Sequence, residues 1–178
     1  MSISLDSFKE NLSNIVRPNR FLVYINPPKG LIESNLDSNV MKFYASSAVI
    51  PDRTFNEIEI KYYGMSFKVP GGESIQDLII TFINDEEWEI RDFFEQWANR
   101  INDRQDSSKE FMENLFEETY IEVHQLGYAD NILAIYKFIH PFPKTVDQID
   151  LGMDTTDSHQ TFQVTFSYSY WERLEVEE

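Results

Sequence analysis

The sequence predicts a mainly β, antiparallel sandwich or barrel with one major α-helix packed against it, an α+β arrangement. Several short segments alternate apolar and polar residues between turn residues, and they follow one another in hairpin order. One stretch changes its hydrophobic period from two to that of a helix. At 178 residues the chain is long enough to bury a sizeable core, so we expect a single domain over residues 1–178.

The change of period lies between residues 74 and 101. Residues 78–83 place apolar side chains on both sides of an extended segment, which is typical of a central strand. The following residues predict a main helix over 84–101, with Asn84 as its N-cap and Glu87 as the capping-box acid. The helix stripe predicted to pack on the core contains Trp88, Phe93, Phe94 and Trp97.

The N-terminal half contains a predicted arm and several extended segments. Residues 1–16 are expected to form an arm with a short helix, because apolar residues recur there at helical spacing. The predicted strands lie at 21–25, at 41–47 and, as a hairpin turning at Gly64, at 54–70. One face of the hairpin is apolar and the other is charged, so we expect the charged face to meet water.

The C-terminal half contains a second predicted hairpin, formed by residues 119–126 and 132–139 and ended by Pro141 and Pro143. Polar residues over 102–116 predict a variable loop before it, and residues 27–41 predict another. The last strand has the clearest alternation. Its predicted core face contains Phe162, Val164, Phe166 and Tyr168.

Composition excludes several classes of protein. The net charge is −16, from 31 acidic and 15 basic residues, which disfavours tight binding to nucleic acid phosphates and is also typical of an ordinary acidic, soluble surface. The absence of cysteine excludes disulfides and thiolate metal sites. No apolar run approaches the roughly 20 residues of a membrane span, and no signal peptide pattern is present, so we expect no membrane binding and no export.

The sequence contains no pattern typical of a catalytic site. His124, His140 and His159 are widely separated, and neither a nucleophile elbow nor a glycine-rich phosphate loop occurs. We therefore expect no catalytic residues, no metal, no cofactor and no enzymatic activity. A hydrolase that uses acidic residues and a divalent metal, and a monomeric β-sandwich that binds sugars or peptides, remain as alternatives.

Several segments, taken in order, resemble the tail tube proteins of contractile-tailed bacteriophages of the T-even type. They cover most of the chain, and the most specific features are an acidic helix start with FxxW, a Phe-Pro before a Val-x-x-Ile segment, and a closing YxYWE. The segments are RPNRFLVYI, YYG, KVPGG, ITFINDEEWEIRDFFEQW, YIEVHQLG, YKF, FPKTVDQIDLGMD and TFQVTFSYSYWE.

This resemblance implies a role in assembly. In that family, six subunits close into a ring whose sheets join into a continuous β-barrel, and rings stack into a tube inside a contractile sheath. The implied partners are other copies of the chain, the sheath protein, the tape-measure protein, the baseplate tube initiator and the tail terminator, with DNA passing through without sticking. The implied location is the virion tail, assembled in the cytoplasm of a bacterial host. Related tubes of type VI secretion and bacteriocins, and the baseplate-proximal initiator itself, are the alternatives within this class.

In a tube, the net negative charge would have a function if it lined the lumen. Acidic residues there would repel DNA phosphates within about 8 Å, one Debye length at physiological salt. From the alternation of the first hairpin we expect its charged face to line the lumen, together with one residue of a later strand. The residues are Glu57, Glu59, Lys61 and Glu122.

Overall fold

The computed structural model describes residues 15–29, 31, 41–42, 44–102, 117–153 and 158–176. The predicted short N-terminal helix within the arm 1–16, most of the loop 27–41 and nearly all of the loop 102–116 lie outside these residues.

Ten strands and one helix make up the described part of the chain. In chain order they are β1 (Phe21–Asn26), β2 (Ala45–Val49), β3 (Arg53–Tyr62), β4 (Met65–Ile75), β5 (Leu78–Ile83), α1 (Glu89–Ile101), β6 (Tyr120–Leu126), β7 (Ile132–Ile139), β8 (Phe142–Val146), β9 (Thr161–Ser167) and β10 (Tyr170–Leu174).

Two four-stranded antiparallel sheets form a sandwich. The first sheet has the order β1-β6-β7-β10 and the second sheet has the order β2-β5-β9-β8, while β3 and β4 pair only with each other. The prediction of a mainly antiparallel β fold with one helix is confirmed. Among the described residues of a single subunit, neither sheet closes into a barrel.

The core lies between the two sheets and is completed by α1. Buried side chains such as Val23 and Phe138 come from the first sheet, and Ile80 and Val164 come from the second. The aromatic stripe of α1 adds to this core, where Phe94 lies 4.8 Å from Phe82 between ring centroids. The predicted core residues that are buried are Phe93, Phe94, Trp97, Phe162, Val164, Phe166 and Tyr168.

The start of the helix differs from the prediction. The helix begins at Glu89, and its cap is the carboxylate of Asp85, which accepts the backbone N–H groups of Glu89 at 3.1 Å and Ile90 at 3.3 Å. Asn84 is not the cap. It continues the pairing of β5 with β9 one residue beyond the strands, because its N–H donates to the Gln160 carbonyl at 3.0 Å and its side-chain amide donates to the Gln160 side chain at 2.7 Å.

The later start of the helix also corrects the predictions for two further residues of this segment. Glu87 is exposed, lies before the first helical residue and takes no part in a capping box. Trp88 is at the N-cap position in a left-handed conformation with φ of 61°, and 47% of it is exposed. The chain uses residues 85–88 to turn from the strand into the helix, so Trp88 falls off the core-facing stripe.

Removing the capping carboxylate tests this assignment. We expect Asp85→Ala to lower the free energy of unfolding by about 1 kcal/mol, since two backbone N–H groups lose their acceptor. Glu87→Ala, in the same turn, is the matched control, with an expected effect of about 0.5 kcal/mol or less. Urea unfolding followed by circular dichroism measures both, and equal losses in the two variants would contradict the assignment.

The predicted last strand is two strands. β9 belongs to the second sheet and β10 to the first, so the chain crosses between the sheets at Tyr168 and Ser169. The crossing is held by the Tyr168 hydroxyl, which donates to the Gln76 carbonyl at 2.7 Å, and by the Ser169 N–H, which donates to the Ile139 carbonyl at 3.0 Å. Alternation continues through a crossing of this kind, which is why the sequence shows a single strand.

Two other predicted boundaries also move. The second strand is Ala45–Val49, later than the predicted 41–47. Pro143 does not end a segment but lies inside β8, which is an edge strand of the second sheet. An edge strand tolerates proline because the missing N–H need not take part in the ladder.

Candidate assembly surfaces

The hairpin β3–β4 is the most prominent surface feature. Its register is regular around the turn, where Tyr62 lies opposite Met65. Tyr63 and Gly64 both have positive φ, 46° and 81°, as a two-residue type I′ turn requires. The predicted turn at Gly64 is confirmed. With ten residues, β3 extends over roughly 33 Å.

One face of this hairpin is apolar and is exposed to solvent in the single subunit. The residues of this apolar hairpin face are Ile58, Ile60, Tyr62, Met65 and Phe67, which are exposed, and Val69, which is partly buried. About half of the surface of Ile58 and of Phe67 is accessible, at 53% and 51%. The hairpin makes few contacts with the other described elements. Because an isolated two-stranded hairpin is at best marginally stable in water, an exposed apolar face of this size is typical of a protein–protein interface.

The opposite face carries the predicted lumen residues of the hairpin. Glu57, Glu59 and Lys61 share this face and all are exposed. Lys68 lies directly opposite Glu59 and forms an ion pair with Glu57 at 2.5 Å. Two carboxylates and two ammonium groups therefore balance one another, so this face is close to neutral.

Glu122 belongs to a different sheet from the other predicted lumen residues. It lies in β6, on the outer face of the first sheet. Its carboxylate contacts Lys137 at 3.3 Å and His124 at 3.0 Å, and only 18% of its side chain is exposed. The ring of Tyr24 packs against His124, with 4.6 Å between the centroids. Glu122 is thus the anionic centre of a compact polar cluster and adds little uncompensated charge.

The base of the hairpin is held by an ion pair. Arg53 donates to Glu73 at 2.6 Å across the two strands, and this hydrogen bond holds the pKa of Glu73 below its ordinary value. Close strand approach also requires glycine at position 71, since a Cβ there would lie 2.9 Å from the Asn56 carbonyl oxygen. These contacts hold β3 and β4 together at the base of the hairpin.

The free edges of the two sheets are a second candidate surface. β1 and β10 border the first sheet, and β2 and β8 border the second. Each sheet has four antiparallel strands, so its two edges run in opposite directions. A second copy related by a rotation could therefore continue either sheet in antiparallel fashion, and doing so would pair backbone groups that a lone sheet leaves open.

Tyr168 has the only strongly shifted pKa found among the described residues. Burial, followed by the nearby charges of Asp77, Glu73 and Asp52, raises its pKa to about 12. The pKa of a tyrosine in the unfolded chain is about 10, so Tyr168 in the folded state stays protonated to a higher pH. The stabilisation is fully present below pH about 10 and is lost as the pH rises through about 12.

An alkaline titration tests this shift. We expect the wild type to lose on the order of 2 kcal/mol of unfolding free energy through Tyr168 as the pH rises from about 10 to about 12. Tyr168→Phe should lack this part of the loss, although it starts less stable by about 1 kcal/mol without the bond to the Gln76 carbonyl. Parallel alkaline stability profiles of the two proteins would contradict the shift.

The described residues contain no group of three or more histidine, aspartate or glutamate side chains placed to hold a metal ion. His159 is exposed, and His140 lies 3.4 Å from the Ser169 hydroxyl. In the part of the chain that the structure covers, no helix is long and apolar enough to span a membrane.

One structural contact was missed by the sequence reasoning. Arg91, which is outside the predicted core stripe of α1, donates to the Asp147 carbonyl at 2.6 Å and its guanidinium lies over the ring of Phe162 at 5.1 Å. This residue fastens the helix to the end of β8. No sequence signal could have identified it, since its partners lie more than fifty residues away.

Comparison with known proteins agrees with these features. The family model described as phage tail tube protein matches residues 16–174. The tail tube protein gp19 of Enterobacteria phage T4 is 25% identical over 159 residues, which cover 89% of this chain and 92% of that protein. The tail tube protein gp19 of Enterobacteria phage T6 is 21% identical over the same coverage.

Solved structures show the same fold. A chain of the extended sheath–tube complex of the PVC extracellular contractile injection system has a TM-score of 0.62 at 16% identity, covering 98% of this chain and 100% of that one. A chain of the anti-feeding prophage baseplate has a TM-score of 0.64 at 13% identity, covering 93% and 99%. With a family model that spans nearly the whole chain, the conclusion is that this chain belongs to the phage tail tube protein family.

Proposed function

We propose that this chain, a structural component of a phage tail, assembles into hexameric rings that stack into the inner tube of a contractile tail. The observation that carries the proposal is the apolar hairpin face, where large apolar side chains from two paired strands stay about half exposed in the single subunit. A subunit that folds around its own core and still presents such a face is built to contact another copy.

The geometry of the exposed elements favours a repeating contact. The apolar hairpin face is on one element, and no second copy of it exists on the subunit among the described residues. Docking of this face on itself would close a dimer, whereas a ring or stack requires it to dock on a different surface of the next copy, which is a heterologous contact. Burying the remaining half of each large apolar side chain contributes about 1 kcal/mol, so several of them together stabilise a contact substantially.

The wider partners follow from the tube role. The matched structures come from assemblies described as a sheath–tube complex, a sheath and tube terminator, a baseplate and a tube-terminating cap. We infer that this tube contacts a sheath along its outside, an initiator and a terminator at its ends, and a tape-measure protein in its lumen. The net charge of −16 supports passage of DNA without retention, since phosphate binding requires basic residues.

Negative-stain electron microscopy and light scattering on the purified protein test the proposal. We expect rings or long tubes that form above a threshold concentration. Single rings that never elongate would instead favour the baseplate-proximal initiator of the same family. A protein that stays monomeric at every concentration, also when tail baseplates are added as templates, would contradict the proposal.

A further inference from the structure

The outer face of the second sheet has an unusual composition. It is formed by the side chains that point away from the core. In β5 and β9 these residues are identified by alternating burial, and in β2 and β8 by their register with β5 and β9. We call it the hydroxyl face, because serine and threonine are its most frequent residues; it consists of Ser47, Thr81, Thr145, Thr161, Thr165 and Ser167, of Gln163, and of the apolar Val49, Ile79, Ile83 and Phe142. None of them is charged, although 26% of the chain is charged.

The charged groups nearest this face in the sequence are at its border. Lys144, at the bulge of β8, forms an ion pair with Asp77 at 2.7 Å. Asp147 and Asp150 follow β8 and add negative charge on the same side as Thr145 and Gln163, with which they border one open cavity. The described members of the hydroxyl face therefore include no cation, Lys144 at its border is paired with Asp77, and the border is net acidic.

The outer face of the first sheet has a different chemistry. It combines large side chains with ionised ones, including Tyr24, Tyr120 and Ile135 beside Glu122 and Lys137. Lys137 lies 4.1 Å from the ring centroid of Tyr120. Aromatic and aliphatic side chains with a few charges are what protein interfaces use as anchors, whereas small hydroxyl groups are weak anchors.

We infer that the hydroxyl face of the second sheet lines the lumen of the tube and is the surface along which DNA moves. This inference rests on the proposed tube assembly and adds which of the two sheets faces inward. Proteins hold DNA chiefly through Lys and Arg contacts to phosphates. A surface of hydroxyl, amide and apolar side chains that lacks Lys and Arg gives the phosphates no cation to pair with and leaves the polyanion free to slide.

The hairpin is connected to the second sheet. β3 and β4 are inserted between β2 and β5, which are neighbours in the second sheet, so the hairpin extends from the sheet assigned to the lumen. The outer face of the first sheet, with Glu122, is then assigned to the outside of the tube. The placement of Glu57, Glu59 and Lys61 in the lumen remains a prediction that this assignment does not require.

Single cysteines test the assignment cleanly, because the natural chain has none. Thr165→Cys lies on the hydroxyl face, and Glu172→Cys, in β10, lies on the outer face of the first sheet opposite Lys137. Assembled tubes of each variant are treated with N-ethylmaleimide and, separately, with maleimide-conjugated streptavidin, and the sites are located by electron microscopy. Gln163→Cys serves as a second lumen position if Thr165→Cys tubes do not form.

We expect N-ethylmaleimide to modify both variants, while streptavidin decorates Glu172→Cys tubes along their length and Thr165→Cys tubes only at their ends. Streptavidin along the length of Thr165→Cys tubes would overturn the assignment, and so would a Thr165→Cys thiol that resists the small reagent in tubes. Either result leaves tube assembly intact, whereas a failure of the wild type to form any ring or tube would contradict the proposed function and this inference together.

A charge variant gives an independent readout. In tubes of Gln163→Lys, every ring would carry added cations on the hydroxyl face, so we expect a short fluorescent DNA duplex to be retained that wild-type tubes release at the same salt concentration. Glu172→Lys, which adds at least as much positive charge on the first sheet, is the matched control. Greater retention inside Glu172→Lys tubes, measured after nuclease treatment of outside DNA, would contradict the assignment.

Discussion

Replacement of Trp97 by alanine is expected to lower the free energy of unfolding by about 3–5 kcal/mol. The indole is completely buried and packs against Phe93 and Phe166, with ring centroids 5.9 and 6.1 Å away. Its removal opens a cavity where the helix meets the second sheet. Since a domain of this kind is typically stable by only about 5–15 kcal/mol, this single change should bring the subunit close to unfolding.

The same segment supplies the control. Trp88, at the helix N-cap, is 47% exposed, so we expect Trp88→Ala to lower the free energy of unfolding by about 1 kcal/mol or less. Urea unfolding followed by far-ultraviolet circular dichroism compares both variants without depending on tryptophan fluorescence. Equal losses for the two tryptophans would mean that the helix begins earlier and that Trp88 packs on the core.

Elements with a strong local pattern could be predicted from the sequence. The alternation around Ile80 and Val164 and the helical stripe of Phe94 and Trp97 each depend on residues close in the chain, and burial follows them. The start of the helix could not be placed, because Asn84 and Asp85 are both good capping residues. What decides between them is the pairing of Asn84 with Gln160, a contact 76 residues away.

The electrostatic character of the predicted lumen residues could not be foreseen for a similar reason. Alternation places Glu57 and Glu59 on one face, but only the register of the hairpin brings Lys68 opposite them. In the same way Glu122 is compensated by Lys137 from the neighbouring strand. The hydroxyl face was missed because its members come from four strands, and no single strand shows it.

Alternation also does not distinguish an apolar face that packs on its own core from one that packs on another subunit. The hairpin β3–β4 has the same pattern as a strand pair of the sandwich, yet Ile60 and Phe67 are half exposed. A test of this face must therefore measure assembly and folding separately.

The double variant Ile60→Ser/Phe67→Ser provides this test, because the two residues lie directly opposite each other on the apolar hairpin face. Losing about 1 kcal/mol of burial from each should raise the threshold concentration for tube formation by more than about tenfold, since 1.4 kcal/mol corresponds to a factor of ten. The free energy of unfolding of the subunit should fall by less, by about 1 kcal/mol, because half of each side chain is already in water.

The opposite face of the same hairpin provides the matched control. Glu59 and Lys68 also form a direct cross-strand pair, and Glu59→Gln/Lys68→Gln leaves the net charge unchanged. Sedimentation of tubes across a concentration series compares the variants, and we expect this control to assemble near the wild-type threshold. If both double variants shift the threshold equally, the contact depends on the hairpin as a whole. If the apolar variant assembles as the wild type does while its subunit is destabilised, the hairpin face acts in folding and the interface lies elsewhere.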